Sequence, residues 1–197
     1  MNYIHKLNRF IYNLAVDFRY GAFLGGVKKT KYLHKGANDT ANSDYKVLPH
    51  LFSSIVEPHD VLVDVGCGKG RVLNWWLSNY REHKIYGIEL DPEIAEQTRK
   101  RLKRYPKVEI ICGDVCEKLP EDADIFYLFN PFDGRVMAAF RAALIGLAIR
   151  GGRPLKVLYY NPIHADVFLE NPRFTVTPVT LPPQFHKALL FTVSGKD

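Results

Sequence analysis

Cysteine is scarce in this chain, and the cysteines that are present form no recognisable pattern. The 197 residues include three of them, Cys67, Cys112 and Cys116, without the spacing of a zinc site or the numbers of a disulfide framework. Seven histidines are likewise scattered without ligand spacing, so the sequence predicts no bound metal. Since small secreted domains usually depend on disulfides, we expect a protein of the reducing cytoplasm.

Long apolar runs are also absent. No stretch reaches the roughly 20 apolar residues that a membrane-crossing helix needs. The first residues lack the continuous apolar core of a signal peptide. With 47% hydrophobic and 24% charged residues, the composition is typical of a globular protein, and we expect no integral membrane segment.

Acidic residues are almost missing from the first 36 positions. Residues 1–36 hold seven Lys or Arg and one acid, Asp17, which is the whole formal excess of +6. The remaining residues hold 20 bases and 20 acids, since 27 − 7 and 21 − 1 both equal 20. Two interpretations stay open, an acidic partner (nucleic acid, an anionic membrane surface or an acidic protein) or incidental charge on a solvated segment.

The basic segment begins with a predicted amphipathic helix over residues 3–18. Its apolar positions recur at helical spacing and fall on one face: Ile4, Leu7, Ile11, Leu14 and Phe18. We expect this face to pack across a ligand cleft, with binding to a membrane surface as the alternative. A Gly-, Lys- and Asn-rich stretch over residues 21–40 predicts a loop. The chain therefore divides into a basic N-terminal arm, residues 1–40, and a globular domain, residues 41–197.

Several common signatures are missing around the one glycine-rich loop. Gly66, Gly68 and Gly70 lack the Lys-Ser or Lys-Thr pair of a phosphate-binding P-loop, and Arg71 stands where a dinucleotide loop has its last glycine. No Gly-x-Ser-x-Gly elbow is present, which disfavours a serine hydrolase. The loop instead follows a buried strand containing Asp64, and an acid there suits a positively charged group such as an α-ammonium.

Further acids follow the next predicted strands. Glu89 ends the strand at residues 84–90, where a carboxylate can accept hydrogen bonds from both hydroxyls of a ribose. Asp114 follows the strand at residues 108–112 and can accept from an adenine amino group, while Val115 covers the ring. Predicted strands continue at 124–130 and 155–160, and two last ones, 174–179 and 188–193, are spaced as a hairpin. Together these elements predict an α/β fold with a doubly wound, seven-stranded, mostly parallel sheet.

Two motifs fall at the tips of the central strands, where a site of this fold lies. Asn130-Pro131-Phe132 ends the fourth strand, and Tyr159-Tyr160-Asn161-Pro162 ends the fifth. Strand alternation sends Tyr159 and Tyr160 to opposite faces, so we expect one of them to reach an acceptor pocket, and Tyr160 is the candidate. Asn-Pro also ends strands for purely structural reasons, because proline cannot continue the ladder.

Over about residues 45–193 the chain resembles the class I S-adenosylmethionine-dependent methyltransferases, and more narrowly a group of small bacterial members of undefined substrate. The resemblance implies a Rossmann-like fold and S-adenosyl-L-methionine as cofactor. It implies that Asp64, Gly66 and Gly68 hold the methionine part, Glu89 the ribose, and Asp114 with Val115 the adenine. The region before the first strand closes over the methionine end in that family, where Tyr45 or Ser43 is a candidate, or both are capping and packing residues.

The Asn130-Pro131-Phe132 motif resembles the Asp/Asn-Pro-Pro-Tyr/Phe motif of methyltransferases that act on nitrogen, although its second proline is missing. The resemblance makes Asn130, Pro131, Phe132 and Tyr160 the catalytic candidates, with Asn130 also a cofactor contact. We expect methyl transfer to an unidentified acceptor, a nitrogen on a small molecule or protein side chain. The alternatives are nucleic-acid methylation guided by the basic arm, a dehydrogenase with a degenerate loop, and cofactor binding without catalysis.

Overall fold

A computed structural model describes residues 3–26, 29–38 and 42–195, and one seven-stranded sheet forms its centre. The strands are β1 (Leu62–Val65), β2 (Ile85–Glu89), β3 (Val108–Cys112), β4 (Ile125–Phe129), β5 (Leu155–Tyr160), β6 (Phe174–Val179) and β7 (Ala188–Val193). Their order across the sheet is β3-β2-β1-β4-β5-β7-β6. The first five strands run parallel, whereas β7 pairs antiparallel with β5 and with β6. The predicted doubly wound, mostly parallel sheet is therefore confirmed, including its terminal hairpin.

Helices cover both faces of the sheet. They are α1 (Tyr3–Arg19), α2 (Leu48–Phe52), α3 (Arg71–Asn79), α4 (Pro92–Leu102), α5 (Gly134–Gly151) and α6 (Asp166–Leu169), with a short 3-10 helix at Leu33–Lys35. One apolar cluster joins α2, α3 and α4 to the sheet, and a second joins α5 and α6 to the opposite face. The helix after residue 45, α2, ends at Phe52, and α6 spans four residues.

Alternation along the central strands explains how one sheet supports two cores. Tyr127 and Tyr160 belong to the cluster on the α2–α4 side, whereas Leu128 and Tyr159 belong to the cluster on the α5–α6 side. The ring of Phe52 lies 5.2 Å from that of Tyr127, in the edge-on geometry that aromatic pairs prefer. β4 and β5 consequently present Tyr127 and Tyr160 to one side of the sheet and Tyr159 to the other.

The helices that follow β2 and β4 each begin at a capping aspartate. Asp91 caps α4 by accepting hydrogen bonds from the amides of Glu93 and Ile94, with Pro92 in the first turn. Asp133 caps α5 in the same way through the amide of Val136. The chain adds β2 and β3 on one side of β1, and β4 and β5 on the other. Where the strand order reverses in this way, between β1 and β4, a crevice opens at the carboxyl ends of the strands.

The orientation of α1 differs from the sequence prediction. A helix forms at Tyr3–Arg19, but its polar face points inward, with Asp17 fully buried. Leu7, Ile11 and Phe18, predicted to pack, lie at the surface, Leu14 is half-buried, and the side chain of Ile4 lies outside the described residues. The prediction of an inward apolar face was wrong because a buried ion pair, formed with Arg71 of α3, holds the other face against the domain.

Candidate functional site

A deep cleft opens at the crevice between β1 and β4. The structure brings into its lining the three acids predicted from separate strand ends, Asp64, Glu89 and Asp114. The loop after β1, the end of β2, the first turn of α4, the loop after β3 and the tip of β4 all contribute to the wall. Its other lining residues include Ser43, Gly66, Cys67, Arg71, Ile94, Val115, Phe129, Pro131, Phe132 and Val136.

The glycine loop after β1 has left-handed backbone that favours glycine. Gly66 has φ of +72°, and a Cβ there would lie 3.0 Å from Cβ of Pro131 at the cleft wall. Gly68 has φ of +52°; its amide donates to the Glu89 carboxylate, and its carbonyl accepts from the Thr98 hydroxyl. Gly68 is outside the cleft lining, so it shapes the loop whereas Gly66 faces the cleft.

Asp64 is the most perturbed acid of the cleft. Burial, and secondarily the neighbouring negative charge of Glu89, raise the pKa of its carboxyl to about 8. Among the residues that the structure describes, none donates a hydrogen bond to this carboxylate or pairs a cation with it, although it lines the cleft. A buried carboxylate of this kind is completed by a ligand that brings its own positive charge.

Glu89 has a structural role that the sequence did not reveal. One of its carboxylate oxygens accepts from the amide of Gly68 at 2.8 Å, and the other accepts from the amide of Asp91 at 2.8 Å. Burial raises the pKa of this carboxyl, while those two amides oppose the rise. Because a carboxylate offers about four lone-pair sites, two remain for hydroxyl groups of a ligand.

Asp114 and Val115 form the opposite end of the cleft. The Asp114 carboxylate accepts from the amide of Cys116 at 2.9 Å and is otherwise exposed, and the Val115 side chain is buried beside it. Phe132 and Val136 line the same cleft. The end of the cleft is thus apolar with one exposed carboxylate at its edge, which suits a flat ring carrying an amino group.

A segment of the basic arm, which the sequence predicts only as a loop, forms one wall of the cleft. Residues 29–38 lie against the tip of β4, where Ala37 forms an isolated antiparallel bridge with Phe132. Asn38 donates from its amide to the carbonyl of Pro131 and from its side chain to the carbonyl of Asn130, both at 2.9 Å. Asp133 in turn donates to the carbonyl of Gly36. No local periodicity signals such a bridge.

The predicted catalytic motif is split by the structure. Pro131 and Phe132 line the cleft, whereas Asn130 does not and has a left-handed backbone with φ of +46°. The side-chain oxygen of Asn130 accepts from the Tyr159 hydroxyl at 3.1 Å. Asn130 is therefore turned toward the α5–α6 side of the sheet in this conformation.

A second pocket adjoins the cleft and shares Asn42, Arg71 and Phe129 with it. Tyr160 lines this pocket and Tyr159 does not, as alternation along β5 predicts. The rings of Phe129 and Tyr160 lie 4.9 Å apart, and the His186 ring lies 5.5 Å from that of Tyr160. The remaining lining residues are Asn13, Asp44, Gln184 and Phe185.

Tyr45 lies outside both pockets. Its hydroxyl donates to Asp17 at 2.9 Å and accepts from the side chain of Asn74 at 3.1 Å, and burial raises its pKa. This placement gives Tyr45 a structural contact, not the cofactor contact that the resemblance implied. Ser43, the other candidate, lines the cleft and shares a 2.8 Å hydrogen bond with the hydroxyl of Tyr127.

Comparisons with known proteins agree with this fold. Residues 62–144 match a family model described as a methyltransferase domain. Dimethyladenosine transferase of Chaetomium thermophilum is 40% identical over 81 residues, covering 37% of this chain and 20% of that protein. The probable cobalt-precorrin-6B C(15)-methyltransferase (decarboxylating) of Archaeoglobus fulgidus is 36% identical over 67 residues, covering 34% of this chain and 39% of that protein. The chain thus spans less than half the length of these two relatives.

Among solved structures, an RNA methyltransferase from Salinibacter ruber in complex with S-adenosyl-L-homocysteine superposes with a TM-score of 0.54. The two chains are 23% identical, and the alignment covers 80% of this chain and 96% of the other. At this identity the similarity shows a shared fold.

Proposed function

We propose that this chain, a member of the class I S-adenosylmethionine-dependent methyltransferases, binds its cofactor in the cleft and methylates a nitrogen held in the adjoining pocket. S-adenosyl-L-methionine supplies an electrophilic methyl group on a sulfonium, and its transfer to a nucleophile requires no metal. One observation carries the proposal. Asp64, Glu89 and Asp114 lie at the carboxyl ends of three different strands and line one cleft, which opens beside a second, aromatic pocket.

The cleft fits the cofactor at both ends. Asp64 is buried and has no partner among the described contacts, so an α-ammonium would complete it electrostatically. Glu89 keeps lone pairs for two ribose hydroxyls after binding two amides. Asp114 stands at the edge of an apolar end formed by Val115 and Phe132, which suits adenine.

The shared wall of the two pockets supports a position for the reacting atoms. Phe129 and Arg71 border both pockets, so a methyl group at the methionine end of the cleft would face an acceptor beside Tyr160. Holding donor and acceptor collinear at near-attack distance can supply about 7–11 kcal/mol of the barrier. The rigid strand tips of β4 and β5 are the elements that provide such alignment.

The proposal of a nitrogen acceptor rests on the Asn130-Pro131-Phe132 motif. The Asn130 side-chain oxygen already accepts from Tyr159, and the Pro131 carbonyl already accepts from Asn38. Each oxygen retains a second lone pair for an amine hydrogen. A small rotation of Asn130 toward the cleft would direct its side-chain oxygen at the acceptor amine, and the exposed side of Phe129 would stack on the acceptor.

The proposed activity is tested by incubating the protein with methyl-labelled cofactor and fractionated bacterial extract. We expect labelled product that is stable to base, as N-methyl groups are and methyl esters are not. Calorimetry with S-adenosyl-L-methionine and with NAD, run in parallel, separates the rivals. Binding of NAD alone would indicate a dehydrogenase, and tight cofactor binding without label transfer to any fraction would indicate a binding protein.

A first prediction concerns Glu89. We expect Glu89→Ala to weaken cofactor binding by about tenfold or more, since charge-assisted hydrogen bonds are worth about 1.5–3 kcal/mol. Titration calorimetry with S-adenosyl-L-homocysteine measures the change. Glu89→Gln is the control for the loop, because its amide oxygen can still accept from one backbone amide, and we expect a smaller loss. Unchanged affinity in Glu89→Ala would remove Glu89 from the ribose site.

A second prediction concerns Asn130. We expect Asn130→Ala to lower kcat by about 100-fold with little change in cofactor affinity, because it removes an acceptor that orients the substrate. Asn161→Ala is the matched control, since Asn161 also has a left-handed backbone, with φ of +52°, but follows β5, whereas Asn130 lies between the cleft-lining residues Phe129 and Pro131. Equal losses of kcat in both variants would mean that Asn130 only ends β4 and does not orient the substrate. Rates are read as initial label incorporation into the fraction that accepts it.

A further inference from the structure

The N-terminal helix is attached to the domain by polar contacts. The Asp17 carboxylate accepts from Arg71 at 2.6 Å and 3.2 Å, from the Tyr45 hydroxyl at 2.9 Å and from the amide of Leu24 at 3.1 Å. Asp17 is fully buried, and the Arg71 guanidinium is nearly so. An amphipathic helix normally buries its apolar face, and here the polar face is buried instead.

The opposite side of the arm is consequently apolar and open. Six of the eleven large apolar side chains found at the surface of the described residues belong to it, each between 46% and 60% exposed: Leu7, Phe10, Ile11, Tyr12, Phe18 and Phe23. The rings of Phe10 and Phe23 touch edge to face, 6.4 Å apart, so the patch continues beyond the helix. Contiguous apolar patches of this kind mark a surface that binds something.

The charge of the arm indicates which kind of partner binds this apolar surface. Residues 1–36 contain seven Lys or Arg and a single acid, Asp17. Since Asp17 is buried against Arg71, no carboxylate faces solvent within the described residues of that 1–36 stretch. Arg19, Lys29 and Lys35 are exposed, and Lys31 makes a loose surface contact of 3.5 Å with Glu93. Residues 1–36 therefore combine an apolar stripe with exposed charges that are all cationic.

We infer that this surface docks onto an anionic lipid bilayer, with α1 lying in the plane of the interface. Phe, Leu and Ile side chains would enter the boundary of the acyl chains, and the lysines and arginines would lie among the lipid phosphates. Aliphatic side chains such as Leu7 and Ile11 offer nothing to a nucleic acid, whose bases stack on aromatic rings. A second copy would bring two cationic surfaces together, which disfavours self-association.

The attachment is peripheral. No described helix is both long and apolar enough to cross a membrane, and α1 carries its polar side against the protein. The inference depends on the exposure and charge of the arm, and it stands whether or not the chain transfers methyl groups.

Vesicle co-sedimentation tests the inference with the full chain. We expect binding to vesicles of equal parts phosphatidylglycerol and phosphatidylcholine, and at least tenfold weaker binding to pure phosphatidylcholine. The double variant Ile11→Ser/Phe18→Ser should lower binding to the anionic vesicles at least tenfold, since each side chain loses its transfer into the interface. Ile163→Ser/Leu169→Ser is the matched control, because these side chains are 60% and 54% exposed elsewhere on the surface. We expect it to bind as the unmodified protein does.

Other results would overturn the inference. Equal binding by the two double variants would show that the arm is not the contact. A dimer seen by sedimentation velocity in the unmodified protein, and lost in Ile11→Ser/Phe18→Ser, would show that the patch binds a second copy of the chain. Binding of a 20-nucleotide RNA that the same variant abolishes, without vesicle binding, would assign it to nucleic acid.

Discussion

Replacing Asp64 with Asn is expected to weaken binding of S-adenosyl-L-methionine by about 100-fold or more. The variant removes the buried charge that would face the ligand's ammonium, and losing one partner of such a pair costs about 2–5 kcal/mol. Titration calorimetry at pH 8.5 measures the loss, because the Asp64 carboxyl, with a pKa raised to about 8, is then mostly ionised in the free protein. Asp114→Asn, at an exposed position, should cost no more than about tenfold.

Asp64→Asn should also raise the stability of the ligand-free protein. The way the free energy of unfolding depends on pH shows why the effect is a gain. The folded protein holds the Asp64 proton up to about pH 8, whereas the unfolded chain loses it near pH 3.9. Since the native state binds more protons between these values, the free energy of unfolding falls as pH rises through that window. Asn does not titrate, so the Asp64→Asn variant does not lose stability in this way. We therefore expect Asp64→Asn to be more stable at pH 8.5 by at least about 1 kcal/mol, or about 2–4 °C in Tm.

That stability gain should shrink toward pH 4, where the native carboxyl and the amide are both neutral. Scanning calorimetry at the two pH values measures it. A variant that is less stable than the unmodified protein at pH 8.5 would mean that Asp64 is held by contacts within the chain. Asp64 would then be a structural residue, and its proposed pairing with a ligand cation would fail.

Breaking the ion pair between Asp17 and Arg71 is expected to produce the largest loss of stability. Asp17→Asn leaves the Arg71 guanidinium buried without its countercharge, which typically costs about 3–5 kcal/mol. For a chain of this size that corresponds to roughly 6–20 °C in Tm. Circular dichroism melting measures it, and limited proteolysis should show earlier cleavage within α1. Glu82→Gln, which breaks an exposed pair with Lys107, should leave the Tm unchanged.

A double variant separates the ion pair from the packing around it. Asp17→Asn/Arg71→Met removes both charges, so it should recover part of the loss seen in Asp17→Asn alone. If the single variant melts within 1 °C of the unmodified protein, the ion pair does not hold the arm. The surface orientation of α1, and with it the lipid-binding inference, would then lose its structural basis.

Local signals in the sequence were sufficient for most of the sheet. β3, β5, β6 and β7 begin and end at the predicted residues, because β-branched and aromatic runs bounded by Gly or Pro leave few alternatives. Caps at Asp91 and Asp133 are equally local, since each side chain bonds amides two or three positions ahead. The convergence of Asp64, Glu89 and Asp114 followed from parallel strands sharing one edge.

Long-range polar contacts could not be predicted in this way. Arg71 lies 54 positions after Asp17, and the ion pair between them overrides the apolar pattern that set the expected orientation of α1. Asn38 bonds the backbone at Asn130 across 92 positions, with no periodicity to signal it. Tyr45 was displaced from the site for the same reason, because its hydroxyl is bound by Asp17 and Asn74.

The wall that the arm contributes at Ala37 and Asn38 makes two binding events thermodynamically dependent on each other. A ligand in the cleft touches residues 29–38, which continue from α1, so it favours the docked arrangement of the arm. Reciprocity then requires that whatever holds the arm in that arrangement tighten the ligand by the same factor. Vesicles that capture the arm are thus expected to change the affinity for S-adenosyl-L-homocysteine, and saturation with that compound should change the vesicle affinity equally.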